Sequence, residues 1–299
     1  MKNSKYILGL FVLALVCATA ATAAAPMVTF TYKDVTANKT AQETDTYGLN
    51  NAGAIAGDYV DSASVQHGMI LAGKKLTTVD VKGCTTSPGS TATAFYGVNS
   101  AGAAVGWCDL TTSGEPTGFM YAKGKLTKIN YPKALGTEAN GINDKGDVVG
   151  TYFDTAGAQH GFLLHAKKYT SIDVPKDNTT VAWGINNKGQ ITVYALNTAG
   201  TYDAFILTGK KYKKVSDPNS ASPGTVIHAI NTAGDVDGTY YDSAGATHGF
   251  LLKGGKYSTL DDPEGADTRA DGLNDKDVIV GRWGGGVFGG TGFEATPKK

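Results

Sequence analysis

The residues best suited to ligand chemistry recur at one register of a repeated tripeptide. The tripeptide is Gly-Ile-Asn at 141–143 and 184–186, with close variants at four other places. The residue directly before each copy is aromatic or polar, and the six are Tyr47, Tyr96, Asn140, Trp183, His228 and Asp271. Aromatic faces beside hydrogen-bonding groups suit recognition of sugars and other small polar ligands. We therefore predict that these residues line a ligand site, the alternative being that they only fill a channel.

Two of these residues, His228 and Asp271, fall in consecutive copies and could form a general acid–base pair. Such a pair would suit a hydrolase or lyase acting on an extracellular polymer. The sequence has no Gly-x-Ser-x-Gly or His-Glu-x-x-His motif, no phosphate-binding loop and no dinucleotide-binding glycine pattern. We therefore assign no catalytic residue and no cofactor, and we favour a binding protein over an enzyme.

Three further histidines, His67, His160 and His248, share a second register in alternate copies of the repeat. If each begins a third strand, histidines in alternate copies lie too far apart to share a zinc ion. We therefore predict no metal site and expect each ring to tie its strand to a nearby loop. If the rings act as a pH-sensitive lock, stability should be lost near pH 6, roughly where histidine titrates.

The elements that must position these residues follow from the spacing of the tripeptide. The repeats start near 48, 97, 141, 184, 229 and 272, at spacings of 49, 44, 43, 45 and 43 residues. Each copy holds four strand-sized pieces with β-branched and aromatic residues, separated by turn signals. Such a period and content are typical of one β-propeller blade. The predicted class is all-β, a propeller of six four-stranded blades.

The two ends of the chain predict how the ring closes. From Gly272 to the end there are 28 residues, which lack a fourth strand, and residues 26–47 add 22 before the first tripeptide. The segment 30–36 aligns with 169–175, so the N-terminal strand can complete the last blade. Closure would remove the exposed edges of an open array. An open β-solenoid, or a ring that recruits a seventh blade from a partner, stays an alternative.

The polar residue that appears in every copy has a structural explanation. An Asn ends each tripeptide and begins an Asn-x-x-Gly turn in five of the six copies; the sixth has Asp277 in place of Gly. An Asn side chain caps such a turn, and Gly takes the positive φ that a tight hairpin needs. Aromatic residues recur in the second and third strands, where we expect them to form the core between blades.

These motifs carry a resemblance to a known family. Gly-Ile-Asn-x-x-Gly-x-Val-Val-Gly, followed about ten residues later by His-Gly-Phe-Leu-Leu at 160–164, resembles the bacterial extracellular repeats named for a His-Ala-Phe motif, the HAF family. In this chain Gly replaces the Ala of the motif in most copies. The resemblance covers nearly all of residues 26–299 and implies export and a repeat architecture, and it brings no agreed activity.

The first 25 residues have the pattern of a secretory signal peptide. Lys2 and Lys5 precede an apolar run, which is followed by small residues up to Pro26. We predict cleavage near Ala23, a secreted or periplasmic protein, and a single propeller domain over residues 26–299. An uncleaved membrane anchor and a lipoprotein modified at Cys17 are the alternatives.

Two cysteines, Cys84 and Cys108, remain after residues 1–25, and in an exported chain they predict one disulfide, with two free thiols as the alternative.

Lys and Arg number 27, as do Asp and Glu, and no segment concentrates basic residues. We therefore expect no nucleic-acid partner, no membrane span in the mature chain and a monomer. The predicted function is binding of a glycan or extracellular protein at the channel mouth and loops. A purely structural surface or matrix protein is the remaining hypothesis.

Overall fold

The computed structural model describes residues 27–84, 92–110, 113–265, 267–284 and 290–298. All regular elements in these ranges are β-strands, so none of the described segments is an apolar helix of membrane-spanning length. The predicted signal peptide at 1–25 lies outside the described residues. The strands β1 to β24 are, in order, Phe30–Val35, Glu43–Leu49, Ala54–Val60, Gln66–Ala72, Lys75–Val79, Ala94–Val98, Ala104–Asp109, Pro116–Ala122, Lys125–Ile129, Gly136–Ile142, Val148–Phe153, Gln159–His165, Lys168–Ile172, Val181–Ile185, Gln190–Leu196, Tyr202–Thr208, Lys211–Val215, Thr225–Ile230, Val236–Tyr241, Thr247–Lys253, Lys256–Leu260, Arg269–Leu273, Ile279–Trp283 and Thr291–Pro297.

The strands pair in sequence order into antiparallel units of four. Four units are separate sheets, β6–β9, β10–β13, β14–β17 and β18–β21. The other strands form one sheet in the order β22-β23-β24-β2-β3-β4-β5, in which β1 also pairs with β24. A single parallel pair, Thr44 with Thr291, joins its two halves. We number the units 1 to 6 from β2–β5, so that unit 6 is β22–β24 with β1. The predicted all-β propeller arrangement is confirmed.

Unit 6 combines the two ends of the described chain. β1 pairs antiparallel with β24 along its whole length, from Phe30 opposite Pro297 to Val35 opposite Gly292. The N-terminal strand thus covers the edge that β24 would otherwise expose.

The first strands of the units surround a central channel. Each contacts the first strands of both neighbouring units, and β22 contacts β2, so the set closes into a ring. This approach is close enough to require glycine in the tripeptide. A Cβ atom on Gly48 would lie 2.8 Å from the carbonyl oxygen of Tyr96 in the next unit. Five units have Gly at this position, and Ala229 stands there in unit 5.

The repeated Asn of each turn stabilises the ring as well as the turn. The Oδ1 of Asn50 accepts hydrogen bonds from the backbone N–H groups of Ala52 and Ala54, at 3.0 and 2.9 Å. Its Nδ2 donates to the backbone oxygen of Asn99 in the next unit, at 2.9 Å. The Nδ2 groups of Asn99, Asn143, Asn186 and Asn274 donate to the following unit in the same way.

The core lies between neighbouring units, where aromatic residues of the second and third strands pack. The third strands place one large side chain per unit at the same register, and all but Phe205 are almost completely buried; the set is Met69, Phe119, Phe162, Phe205, Phe250 and Phe293. Burial of each such side chain contributes about 2–3 kcal/mol to folding.

Unit 2 carries the predicted disulfide. Cys84 and Cys108 are bonded, with their Cα atoms 5.8 Å apart. Cys108 lies in β7 at the register where units 1, 3 and 5 have a tyrosine, and it is fully buried. The bond therefore fastens the connection after β5 to the core of unit 2.

Candidate functional site

The two faces of the ring differ in how the strands are connected. Tight turns follow the first and third strands at one face, the turn face, and the other connections lie at the opposite loop face. The channel opens on the turn face as a cavity of about 700 Å³, including the solvent at its mouth. First strands and the turns after them supply all of its lining residues.

Five of the six predicted ligand-site residues line this cavity, namely Tyr47, Tyr96, Asn140, Trp183 and Asp271. His228 does not line it. Its side chain is nearly buried, and its Nδ1 donates a hydrogen bond to the backbone oxygen of Ala270, at 2.7 Å. Ala229 forms the wall of unit 5 instead. His228 therefore keeps the register of the other five residues, but its side chain is turned away from the cavity.

The aromatic residues of the cavity contact one another across the channel. The ring centres of Tyr47 and Tyr96 are 4.6 Å apart, and Tyr96 meets Trp183 edge to face at 5.7 Å. Trp107, in strand β7, stacks on the Tyr96 ring with the ring centres 5.4 Å apart. Because Tyr96 belongs to unit 2 and Trp183 to unit 4, these rings form a floor beneath the cavity mouth. A ligand at the mouth would therefore lie against aromatic faces.

The suggested acid–base pair exists but is enclosed. The Nδ1 of His228 lies 3.4 Å from Oδ1 of Asp271, and the two residues are 8% and 4% exposed. Burial lowers the pKa of His228 and outweighs the opposing effect of the Asp271 carboxylate. The imidazole is therefore neutral at pH 7, and its one N–H is used in the bond to Ala270.

Next to the aromatic floor is a group of buried titratable side chains that the repeat pattern did not indicate. Tyr47 donates its hydroxyl hydrogen to Asp45, with the oxygens 3.3 Å apart, and the Arg282 guanidinium lies 3.7 Å from the same carboxylate. Arg282 also lies over the Tyr47 ring, 5.1 Å from its centre. Burial, together with neighbouring Asp45, raises the pKa of Asp58 well above its ordinary value.

Two cavity-lining side chains each hold an oxygen atom that the fold leaves unpaired. Oδ1 of Asn140 and Oδ2 of Asp271 are buried and have no hydrogen-bond partner among the described residues. Unsatisfied buried acceptors are costly and uncommon in folded proteins. Both could accept hydrogen bonds from the hydroxyl groups of a ligand that enters the cavity.

A ring of polar side chains surrounds the cavity mouth, one from the residue after each repeated Asn. We call it the rim, and its members are Asn51, Ser100, Asp144, Asn187, Thr232 and Asp275. They are joined in two groups of three. The Asp144 carboxylate accepts bonds from Ser100 N–H at 2.7 Å and Asn187 Nδ2 at 2.8 Å. Asp275 accepts the same bonds from Thr232 and Asn51, both at 2.7 Å.

The rim has an approximate twofold symmetry that the sequence analysis missed. Asn, Ser or Thr, and Asp follow one another in units 1 to 3 and again in units 4 to 6. Comparing this one position across the six copies would have shown the pattern. Partial burial alone would raise the pKa of Asp144, but the hydrogen bonds from Ser100 and Asn187 outweigh it and lower the pKa. Asp144 is therefore ionised at neutral pH.

The three aligned histidines lie near the loop face, each between two carboxylates of its own unit. His160 has its Nδ1 2.6 Å from Asp173 and its Nε2 3.5 Å from Asp154, and it stacks on Tyr152 with ring centres 5.0 Å apart. His67 and His248 make the same contacts in units 1 and 5. Each ring thus ties the start of a third strand to the two nearest connections, as predicted.

Comparisons with known proteins bear on the fold. A fucose-binding lectin from Aleuria aurantia, solved with Fucα1-6GlcNAc, is 12% identical over 83% of this chain and 90% of its own, with a TM-score of 0.52. A putative TolB from Agrobacterium tumefaciens is 13% identical over 91% of this chain and 99% of its own, with a TM-score of 0.60. AofleA from Arthrobotrys oligospora is 10% identical over 90% and 88%, with a TM-score of 0.52.

No family model and no curated protein matches the chain. At 10–13% identity, similarity to the solved structures shows the shared fold alone. These structures therefore agree with the propeller arrangement, and the site has to be interpreted from its own residues.

Proposed function

We propose that the protein is a secreted, non-catalytic β-propeller that binds carbohydrate at the turn-face mouth of its channel. In this proposal units 1 to 6 are six blades of four strands, and β1 closes the last. The cavity carries the proposal, because aromatic rings form its floor while amide, hydroxyl and carboxylate groups surround its mouth. Sugars present both apolar ring faces and hydroxyl groups, and this combination matches them.

Three further observations support parts of the proposal. Fucose-binding lectins are among the solved structures with a similar fold, so this architecture can present a sugar site. The Cys84–Cys108 disulfide suits an oxidising compartment outside the cytosol, in keeping with the signal peptide proposed at 1–25. The recurring Gly-Ile-Asn turns support our proposal that the chain is a HAF-type extracellular repeat protein.

A glycan array probed with the purified protein tests this function. We expect a defined set of glycans to bind, and Trp183→Ala to weaken that binding roughly tenfold or more, since an aromatic contact with a ligand is worth about 1–3 kcal/mol. Tyr96→Ala should act in the same direction because its ring meets Trp183 in the floor.

The matched control is Tyr212→Ala, which removes an aromatic ring from the outer strand β17, away from the channel. Its binding should equal that of the wild type, and the melting temperatures of all variants show whether each one folds. Glycan binding that survives both Trp183→Ala and Tyr96→Ala in folded protein would overturn the channel-mouth site.

A further inference from the structure

The hairpins between third and fourth strands carry an unusual charge. Each of units 1 to 5 has one such hairpin, and each hairpin contains two lysines and no acidic residue. Their sequences are Ala-Gly-Lys-Lys, Ala-Lys-Gly-Lys, His-Ala-Lys-Lys, Thr-Gly-Lys-Lys and Lys-Gly-Gly-Lys, at 72–75, 122–125, 165–168, 208–211 and 253–256. All ten lysines except Lys256 are exposed, and Lys253 is paired with Asp277. Every hairpin therefore presents ammonium groups on the turn face.

The same bias extends over the whole turn face and is reversed on the loop face. With Lys145, Lys188 and Lys276 from the turns around the mouth, the turn-face connections hold thirteen lysines against five aspartates. Counted in the same way, with the strand residue at each end of a connection included, the loop-face connections hold fourteen acidic residues against five basic ones. A chain with no net charge and no basic segment thus folds into a ring with one cationic and one anionic face.

We propose that the turn face binds an acidic polysaccharide, one that bears carboxylate or sulfate groups along its chain. This inference names the ligand class of the proposed function and rests on it only in taking the ligand to be a glycan. Acid groups spaced along such a polymer would meet the lysine pairs that surround the mouth. Its hydroxyl groups would meet the polar side chains of the rim.

The centre of the face favours a polysaccharide over a polyphosphate. The rim carries two carboxylates, Asp144 and Asp275, which repel phosphate groups and accept hydrogen bonds from hydroxyl groups. A cationic periphery around an acceptor-rich centre matches a polymer with both acid and hydroxyl groups.

Binding to polygalacturonate and to chondroitin sulfate, measured by biolayer interferometry at about 50 mM salt, tests the inference because surface charges are weakly screened there. The turn-face lysine variant combines Lys167→Gln, Lys168→Gln, Lys210→Gln and Lys211→Gln. We expect it to raise the dissociation constant roughly tenfold or more. Binding by the wild type should weaken steeply as salt is added. Failure of the wild type to bind either polymer overturns the inference.

The control variant removes the same charge from the loop face, with Lys39, Lys82, Lys133 and Lys176 changed to Gln. Its binding should match the wild type once long-range attraction is screened at about 150 mM salt. Equal losses in the two variants overturn the inference, because the effect is then one of net charge. Equally tight binding of duplex DNA or of phosphatidylglycerol vesicles, with the same dependence on lysine, also overturns it.

The same measurement separates this inference from the channel-mouth site. If Trp183→Ala keeps its affinity for polygalacturonate while the turn-face lysine variant loses it, the cationic face stands and the aromatic site fails. If the lysine variant binds as well as the wild type and Trp183→Ala does not, the aromatic site stands and the cationic face is overturned.

Discussion

Several side chains of this protein have protonation states set by the fold, and the three histidines tied between aspartates show this most directly. Burial alone would lower the pKa of His160, but hydrogen bonds to Asp173 and Asp154 outweigh it and raise the pKa. His67 and His248 are raised in the same way. A histidine with a raised pKa stabilises the folded state below its unfolded pKa of about 6.5 and loses that effect as the pH rises.

The histidines should therefore stabilise the protein in mildly acidic solution. We expect His160→Gln to lower the melting temperature clearly at about pH 5.5 and much less at about pH 9, where the ring is neutral in both states. Thermal unfolding followed by circular dichroism at both values measures this. Lys168→Gln is the control, since that side chain is exposed and lies opposite the same strand. A His160→Gln loss that does not change with pH would contradict a charge-dependent tie.

A buried carboxyl group in unit 5 should make the whole protein pH-sensitive. Asp237 is completely buried in β19, where units 2, 3 and 6 have valine. Burial raises its pKa to about 8, although the N–H of Ala229 donates to its Oδ1 at 2.6 Å. An acid with a raised pKa stabilises the fold below its unfolded pKa, and that contribution is lost as the pH rises to 8.

Asp237→Asn should therefore flatten the decline in unfolding free energy between about pH 4 and 8, by up to about 1.4 kcal/mol per pH unit. Urea denaturation at several pH values gives this slope. Asp144→Asn is the control because the pKa of Asp144 is lowered, so the group is ionised throughout the window. An unchanged slope in Asp237→Asn would show that the carboxyl titrates outside this range.

At the residue scale the sequence identified the register that lines the cavity but not the contacts of each side chain. Any position that varies within a strict repeat can be found by alignment, and Tyr47, Tyr96 and Trp183 were found that way. His228 was misplaced because its ring turns to the Ala270 carbonyl, a contact between units that no single copy reveals. The titratable group of Asp45, Asp58 and Arg282 also depends on neighbouring units.

At the scale of the element, the Asn turn is the feature that makes six hairpins into a ring. Asn50→Ala removes both the cap of its own turn and the bond to Asn99, whereas Asn50→Asp keeps the capping oxygen and loses the donor. We expect the Ala variant to lose about 2–3 kcal/mol of unfolding free energy and the Asp variant about half as much. Chemical denaturation of both gives the share due to the bond between units. An Asp variant as stable as the wild type would show that this bond contributes nothing.

The disulfide is the second element-scale feature open to measurement. It closes a segment of 24 residues, and a loop of this length is worth roughly 3 kcal/mol in the chain-entropy model. The double variant Cys84→Ser with Cys108→Ser should lose about that much stability. Wild-type protein unfolded in the presence of a reductant should show the same loss, and no further loss is expected when the reductant is added to the variant.

The elements themselves were largely predictable because each strand except β1 pairs with a strand next to it in the sequence. Each repeat has alternating apolar residues and a turn marked by Asn and Gly, so strand positions follow from a single copy. The pairing of β1 with β24 was predictable from the residue count at the two ends together with the alignment of 30–36 with 169–175. The second role of Asn50 could not be predicted, because the Asn99 oxygen it reaches is 49 residues away.

At the scale of the whole molecule, the opposite charges of the two faces should make the protein attract its own copies when salt is low. We expect head-to-tail association, turn face to loop face, at about 20 mM salt and a monomer at about 300 mM, where charges are screened within a few ångströms. Sedimentation velocity at both concentrations measures this. The turn-face lysine variant should stay monomeric at low salt. Association that is indifferent to salt would contradict a charge-driven contact.

This separation of charge could not be foreseen from composition. Equal numbers of acidic and basic residues give no field if they are mixed, and along the sequence they are mixed. The turns after first and third strands alternate along the sequence with the other connections. Only the antiparallel folding of the strands places the two kinds of connection, and their charges, at opposite faces.

The pairing of β1 with β24 also sets an order of events in time. Synthesis delivers β1 before the other described strands and its partner β24 after them, so a growing chain holds β1 unpartnered until β24 has been made. Unit 6 can be completed only when both strands are present, and a chain that lacks β1 would keep an open edge at β24. In the closed ring, the β1–β24 pair joins residues more than 250 positions apart. We therefore expect these two strands to separate before any unit unfolds from the ring. We therefore expect slow final folding and long persistence once folded.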